Sequence, residues 1–124
     1  MDIISRILVA LVALEHVYIL YLEMFLWTKP QGLKSFGTTH EFANASKSLA
    51  ANQGLYNGFL AAGLAWSVVY PDAAIGHQIA LFFLACVIVA AIYGGMTARR
   101  SILYIQGTPA LIALLATVIV LIAK

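Results

Sequence analysis

The residues best suited to chemistry lie in one apolar stretch near the start of the chain, LEHVYILYLEMFLW, residues 14–27. The stretch contains two carboxylates and an imidazole: Glu15, His16 and Glu23. An ionisable group at membrane depth is costly, and it normally faces a bundle interior or a hydrated cavity. At 100° per residue, His16, Glu23 and Trp27 fall within roughly 40° of one another on a helix, with Glu15 about a quarter turn away. We therefore predict that Glu15, His16 and Glu23 are acid/base residues of a functional site.

Metal binding is the weaker interpretation of these three residues. They could supply ligands, but no HExxH or similar spacing is present, so we predict neither a metal site nor a cofactor. The single cysteine, Cys86, cannot form a disulfide within one chain, which excludes dithiol redox chemistry there. We expect Cys86 to pack as a small apolar residue.

The composition is that of an integral membrane protein. Of 124 residues, 63% are hydrophobic and 10% are charged, and the mean hydropathy is +0.95. A soluble domain is about half apolar and a quarter charged. The net charge of +2 is too small to suggest a nucleic-acid partner. The first apolar segment is long and contains carboxylates, so we expect no cleavable signal peptide.

The apolar segments of the chain predict an all-α fold, an integral membrane four-helix bundle whose consecutive spans are antiparallel. One span needs about 20 residues, so the chain has room for four within a single membrane domain, residues 1–124. The four spans are predicted at residues 3–27, 49–70, 75–96 and 102–123. Pro109 is expected to kink the last span or to free a carbonyl one turn earlier.

The long polar connection, residues 28–50, is expected to end in a helix that leads into the second span. Thr38 and Glu41 have the spacing of a capping box, so the helix should restart near Thr39. Further along, Gly54, Gly58 and Ala62 recur every fourth residue, a pattern that favours close helix contact or a homo-oligomer interface.

Charge and depth together predict a one-sided polar pocket. Five Lys and Arg residues lie in connections 28–50 and 97–101 and two lie on the opposite side, which predicts that both connections are cytoplasmic and both termini outside. Several polar residues belong to the half of the bundle nearest those connections. The predicted ligand-binding residues are Asn52, Gln53, Tyr56, Asn57, Tyr93, Gln106, Arg99 and Arg100. An alternative role for the amides is to join the helices by hydrogen bonds.

Four segments carry a resemblance to a known family. LEHVYILYLEMFLW, ANQGLYNGFLAAGL, IYGGMT and IQGTPA resemble the small bacterial membrane proteins catalogued as domain of unknown function 1304. The resemblance covers nearly the whole chain and implies a four-helix membrane protein, which we expect in the bacterial inner membrane. It implies no activity.

Three functions remain open at this point. The first is a pocket that binds a small amphipathic or lipid-like molecule, with or without acid/base turnover by Glu15, His16 and Glu23. The second is proton-coupled transport through a first-span glutamate, for which Glu15 is the candidate. The third is a structural or accessory subunit held together by its polar residues. The expected partners are the bilayer and the ligand.

Overall fold

A computed structural model describes residues 1–124, and five helices make up most of the chain. The helices are α1 (Ile3–Phe25), α2 (Pro30–Phe36), α3 (His40–Val69), α4 (Ala73–Thr97) and α5 (Arg100–Ile122). By length and composition, α1, α4 and α5 are long and apolar enough to cross a membrane. The protein is therefore all-α with the character of a membrane protein.

Helix α3 differs from the other three long helices. It has 30 residues, yet it is not among the helices apolar enough to be a span. Three amides, Asn52, Gln53 and Asn57, lie close together along it and lower its hydropathy. The predicted second span, 49–70, therefore coincides with a helix, while its crossing of a membrane stays a prediction.

The segment predicted as a long connection is largely helical. Pro30 begins α2, where its fixed φ suits the first turn. Gly37 ends α2 with φ 62°, a left-handed conformation that glycine adopts without strain. Helix α3 begins at His40, as the expected restart near Thr39 requires, but the capping box on Thr38 was wrong by one residue. The cap is Thr39, whose Oγ1 accepts a 3.2 Å hydrogen bond from the Phe42 N–H.

Trp27 joins α2 and α3 to the end of α1. Because α1 ends at Phe25, Trp27 lies beyond the helix and does not share the face of His16 and Glu23, contrary to the sequence prediction. Its ring lies 4.8 Å from that of Phe36 (centroid to centroid). Its Nε1–H donates a 3.1 Å hydrogen bond to Ser46 Oγ on α3.

The chain divides into two compact units. One comprises residues 14–61, and the other comprises residues 1–13 and 62–124. In the second unit, α4 and α5 pack closely at the glycines of the IYGGMT and IQGTPA segments. A Cβ at Gly94 would lie 3.1 Å from Ile102 Cγ2, and one at Gly107 would lie 3.3 Å from Ala91 Cβ. These motifs therefore have a packing role.

The start of α5 contains one π-helical turn, Leu103–Gly107, just before Pro109. Proline cannot donate the helical hydrogen bond to the carbonyl four residues earlier, so the backbone there can adopt wider bonding. The irregularity expected at Pro109 is therefore present as a π-helical turn. Gln106 lies inside it and is half-buried.

Candidate functional site

A buried hydrogen bond between α1 and α3 is the centre of the candidate site. The Asn57 Nδ2–H donates to Glu23 Oε1 over 2.6 Å, and each side chain is only 7% exposed. Asn57 Nδ2 also donates to the Gln53 carbonyl over 3.3 Å. A charge-assisted or carboxyl–amide bond of this length in a dry environment is stronger than the same bond in water. The bond fixes one oxygen of Glu23 and leaves Oε2 outside it.

The periodicity of α1 explains why Glu23 and His16 are buried. Val9, Val12, His16, Ile19 and Glu23 recur every three or four residues and are all buried. Such spacing forms one face of an α-helix. His16 and Glu23 are therefore both on the inward face, seven residues and roughly 10 Å apart along the axis. This spacing places both side chains on one face of the helix, two turns apart, and does not by itself bring them into contact.

Gly54 lets α3 approach α1 at the level of Glu23. A Cβ at Gly54 would lie 3.1 Å from Glu23 Cβ and 3.2 Å from the Leu20 carbonyl oxygen. A Cβ at Gly58 would lie 2.6 Å from Leu20 Cδ1. The predicted helix contact at both glycines is therefore present within the chain, whereas Ala62 is exposed and takes no part in that buried face.

Glu15 occupies a different environment from Glu23. The residue is half-buried, but its Oε1 is inaccessible and has no hydrogen-bond partner within the chain. Buried polar atoms normally have a partner, so this oxygen is an expected point of contact for a water molecule or a ligand. Glu15 thus has the polar capacity for a site without the fixed geometry of Glu23.

The other amides and the phenol predicted on α3 lie on its surface. Asn52, Gln53 and Tyr56 are exposed, and only Asn57 of the four is buried. The Tyr56 ring lies 6.0 Å from that of Phe59, an aromatic contact on the same helix. Within residues 14–61, the structure therefore brings Asn57 together with Glu23 and leaves the other three side chains outward.

The remaining predicted residues belong to the other compact unit. Arg99 and Arg100 are exposed where α4 meets α5. Tyr93 is 70% exposed and lines a shallow apolar groove of about 550 Å³ along one face of α4. Phe82 and Cys86 line the same groove, so Cys86 is half-buried at a surface groove and not in a core. The convergence of Tyr93, Gln106 and these arginines with Glu23 stays a prediction.

Two buried polar residues were not identified from the sequence. Ser5 and His77 are fully buried, in α1 and α4 respectively. His77 could have been found by its spacing, because it recurs with the buried residues Ala80, Leu84 and Val87 at intervals of three or four. No group of three or more His, Cys, Asp or Glu residues is arranged to hold a metal ion.

Comparison with known proteins places the chain in a family without an established activity. Residues 10–118 match the family model described as "Protein of unknown function (DUF1304)". The chain is 34% identical over 119 residues to the "Uncharacterized protein YpaA" of Lactococcus lactis subsp. lactis (strain IL1403), which covers 94% of this chain and 98% of the relative. No solved structure matches. The chain belongs to the DUF1304 family of proteins of unknown function.

Proposed function

We propose that Glu23, Asn57 and His16 form the polar floor of a binding site for a small amphipathic or lipid-like molecule. The observation that supports this most is the buried 2.6 Å bond from Asn57 to Glu23. A buried carboxyl group and amide held this closely are expensive as mere helix contacts, because apolar residues of similar size pack at lower cost. Their presence in a buried position favours recognition of a polar group.

The chemistry of the residues defines the class of ligand. Glu23 Oε2 and Asn57 Oδ1 lie outside the Asn57–Glu23 bond, so they can accept hydrogen bonds from a hydroxyl or protonated group of the ligand. Ile19 and Leu22, which precede Glu23 on α1, are aliphatic and buried, and the apolar body of the ligand would have to insert beside them. Lys29, Lys34 and Lys47 are exposed in the same unit and would attract an anionic head group. His16 would accept or donate a proton if the bound molecule is also chemically changed.

We also propose a location and a topology for the protein. The protein would reside in the bacterial inner membrane as a four-helix bundle in which α3 crosses despite its amides. Polar residues are tolerated in a span when they face the bundle interior, as the Asn57–Glu23 bond would allow. Connections 28–50 and 97–101 would be cytoplasmic, and both termini outside.

Mass spectrometry of co-purified small molecules tests the proposed function. The parent protein, Glu23→Gln, Asn57→Leu and the control Glu41→Gln would be purified identically from the same membranes. In the parent and in Glu41→Gln, we expect one amphipathic compound to be enriched relative to the bulk membrane lipid. The same compound should be reduced in Glu23→Gln and in Asn57→Leu. Equal lipid profiles in all four proteins would contradict the proposal.

Glu15 favours proton-coupled transport as a second candidate function. Its Oε1 lacks a hydrogen-bond partner within the chain and the residue is only half-buried, so the carboxyl would be able to exchange a proton for a cation. Proteoliposomes with an imposed pH gradient would test this candidate. Proton flux driven by a lipophilic cation should be abolished by Glu15→Gln and retained in Glu41→Gln, and no flux in the parent would rule it out.

A further inference from the structure

His77 has one ring nitrogen whose role is fixed and one that is unused by the protein. Nδ1 lies 2.6 Å from the Ala73 carbonyl oxygen. Since a carbonyl oxygen only accepts, Nδ1 carries the proton and a neutral ring offers Nε2 as an acceptor. Nε2 is inaccessible and has no hydrogen-bond partner within the chain. The buried imidazole therefore presents an acceptor that needs an external donor.

Ser5 presents a second buried polar group. Its backbone N–H donates a 2.8 Å bond to Asp2 Oδ1, which caps the start of α1. The residue is fully buried, and its Oγ makes no hydrogen bond of acceptable geometry with the protein. The hydroxyl lies close enough to Asp2 to lower the pKa of that carboxyl together with the backbone N–H. Ser5 Oγ is thus a buried oxygen beside Asp2 that can accept a further hydrogen bond.

The ends of three helices meet around these residues. Arg6 Nη1 donates a 2.8 Å bond to the Val68 carbonyl at the end of α3. A Cβ at Gly76, next to His77, would lie 2.9 Å from the Ser67 carbonyl oxygen and 4.0 Å from Met1 Sδ. The start of α1, the end of α3 and the start of α4 are therefore in close contact, all within one compact unit.

We propose that Ser5 and His77 form a buried water-binding site at this junction. The water molecule would donate one hydrogen bond to His77 Nε2 and the other to Ser5 Oγ, which gives it the two polar partners that a buried water needs. It would link α1 to α4 by a water-mediated bond nearly as favourable as a direct one. The site is separate from the proposed Glu23 site, and it uses groups that the proposed function does not involve.

Magnetic resonance of the full chain in bilayers can detect this water at one atom. Histidine would be labelled with nitrogen-15, and His16, His40 and His77 would be assigned by single substitution to Gln. Magnetisation transferred from water to the side chains would then be measured for the parent and for Ser5→Ala. Ser67→Ala is the matched control, because Ser67 is a buried serine whose hydroxyl already donates 2.6 Å to the Leu64 carbonyl.

We expect His77 to be the Nδ1–H tautomer, with a strong water signal that is lost in Ser5→Ala and retained in Ser67→Ala. A parent signal that persists in Ser5→Ala would overturn the proposal, and so would the absence of any water transfer to His77. If Ser5→Ala does not fold, Ser5→Cys provides the same comparison, because a thiol is a poor hydrogen-bonding group of similar size. His40 is exposed and should show water contact in every sample.

Discussion

Gly54 on α3 lies against Glu23 on α1, so close that a Cβ at position 54 would be 3.1 Å from Glu23 Cβ. Asn57 follows less than one turn later on the same helix and reaches Glu23 Oε1 over 2.6 Å. Gly54 allows the two helices to approach closely, and at that separation the Asn57 amide can reach Glu23. This pairing of a close approach with a buried polar bond defines the candidate site.

The Asn57–Glu23 bond predicts a non-additive pair of substitutions. Glu23→Leu leaves Asn57 with only its 3.3 Å bond to Gln53, and Asn57→Leu leaves the carboxyl oxygen without its donor. Each should lower the melting temperature in detergent. The expected loss in the free energy of unfolding is about 0.6 to 1.7 kcal/mol, the range for a polar contact between membrane helices. The double variant should recover much of the loss, because both partners are then apolar.

Asn52→Leu is the control for these substitutions, since Asn52 is a similar amide that lies exposed on the same helix. It should leave the melting temperature within experimental error. Glu23→Gln should also keep most of the stability, because its amide oxygen can still accept from Asn57. Strictly additive losses for the two leucine variants would mean that the bond contributes nothing to the folded state.

Gly54 and Gly58 of α3 should differ in their response to alanine. A Cβ at Gly54 would overlap Met24 Cγ at 2.7 Å and would meet Glu23 Cβ and the Leu20 backbone oxygen, which cannot move easily, so Gly54→Ala should cost about 1–3 kcal/mol. A Cβ at Gly58 would meet only the end of the flexible Leu20 side chain. There the helix propensity of alanine, about 1 kcal/mol better than glycine, should offset the contact.

Thermal unfolding in detergent would compare both variants with Ala62→Leu, a change at an exposed position of the same predicted stripe. Gly54→Ala should melt below the parent, while Gly58→Ala and Ala62→Leu should melt near it. Size-exclusion chromatography of the same variants would show whether their oligomeric state changes in the same order as their melting temperature. If Gly58→Ala were the more damaging of the two, the contact surface of α3 would be assigned incorrectly.

Asp2 should give the protein an acid-sensitive component of stability. The hydroxyl and then the backbone N–H of Ser5 lower the pKa of Asp2 below its ordinary value of 3.8. Because the folded pKa is lower than the unfolded one, ionised Asp2 stabilises the fold above the unfolded pKa. That contribution is lost as pH falls through the folded value. Asp2→Asn should therefore show a shallower fall of melting temperature with acid than the parent, and parallel curves would refute this assignment.

Reporter fusions can determine whether α3 crosses the membrane. If it does, reporters after Lys47 and in the connection at Arg99 should both lie in the cytoplasm, while one at Asp72 should lie outside. A reporter at Asp72 that lies on the same side as Lys47 would show that α3 does not cross. In that case the three apolar helices α1, α4 and α5 would be the only spans.

The length of the apolar segments predicted the long helices, and helical spacing predicted the shared face of His16 and Glu23. His16 and Glu23 are seven residues apart, two turns of a helix, so their shared face follows from geometry. The partner of Glu23 was not predictable in the same way. Asn52, Gln53, Tyr56 and Asn57 were equivalent candidates, and the rotation of α3 that selects Asn57 depends on the tertiary contact of Gly54 with α1.

The segment between α1 and α3 shows a different limit of sequence reasoning. Pro30 was interpreted as a stop, but proline also suits the first turn of a helix, and here it begins α2. Gly32 then packs against the Leu26 carbonyl oxygen, where any side chain would overlap the backbone. The local sequence is compatible with either a stop or a helix start at Pro30. In the structure the helix start is accompanied by the contact of Gly32 with Leu26, just after α1.

Site-resolved photo-crosslinking tests the proposed ligand site most directly. The parent, Glu23→Leu and Glu41→Gln would be labelled in bilayers with a long-chain fatty acid that carries a diazirine, with and without excess unlabelled fatty acid. We predict labelled peptides from residues 14–27 and 53–61 in the parent and Glu41→Gln, which are lost on competition and in Glu23→Leu. Labelling confined to the α4 groove between Phe82 and Tyr93, or unaffected by Glu23→Leu, would contradict the account.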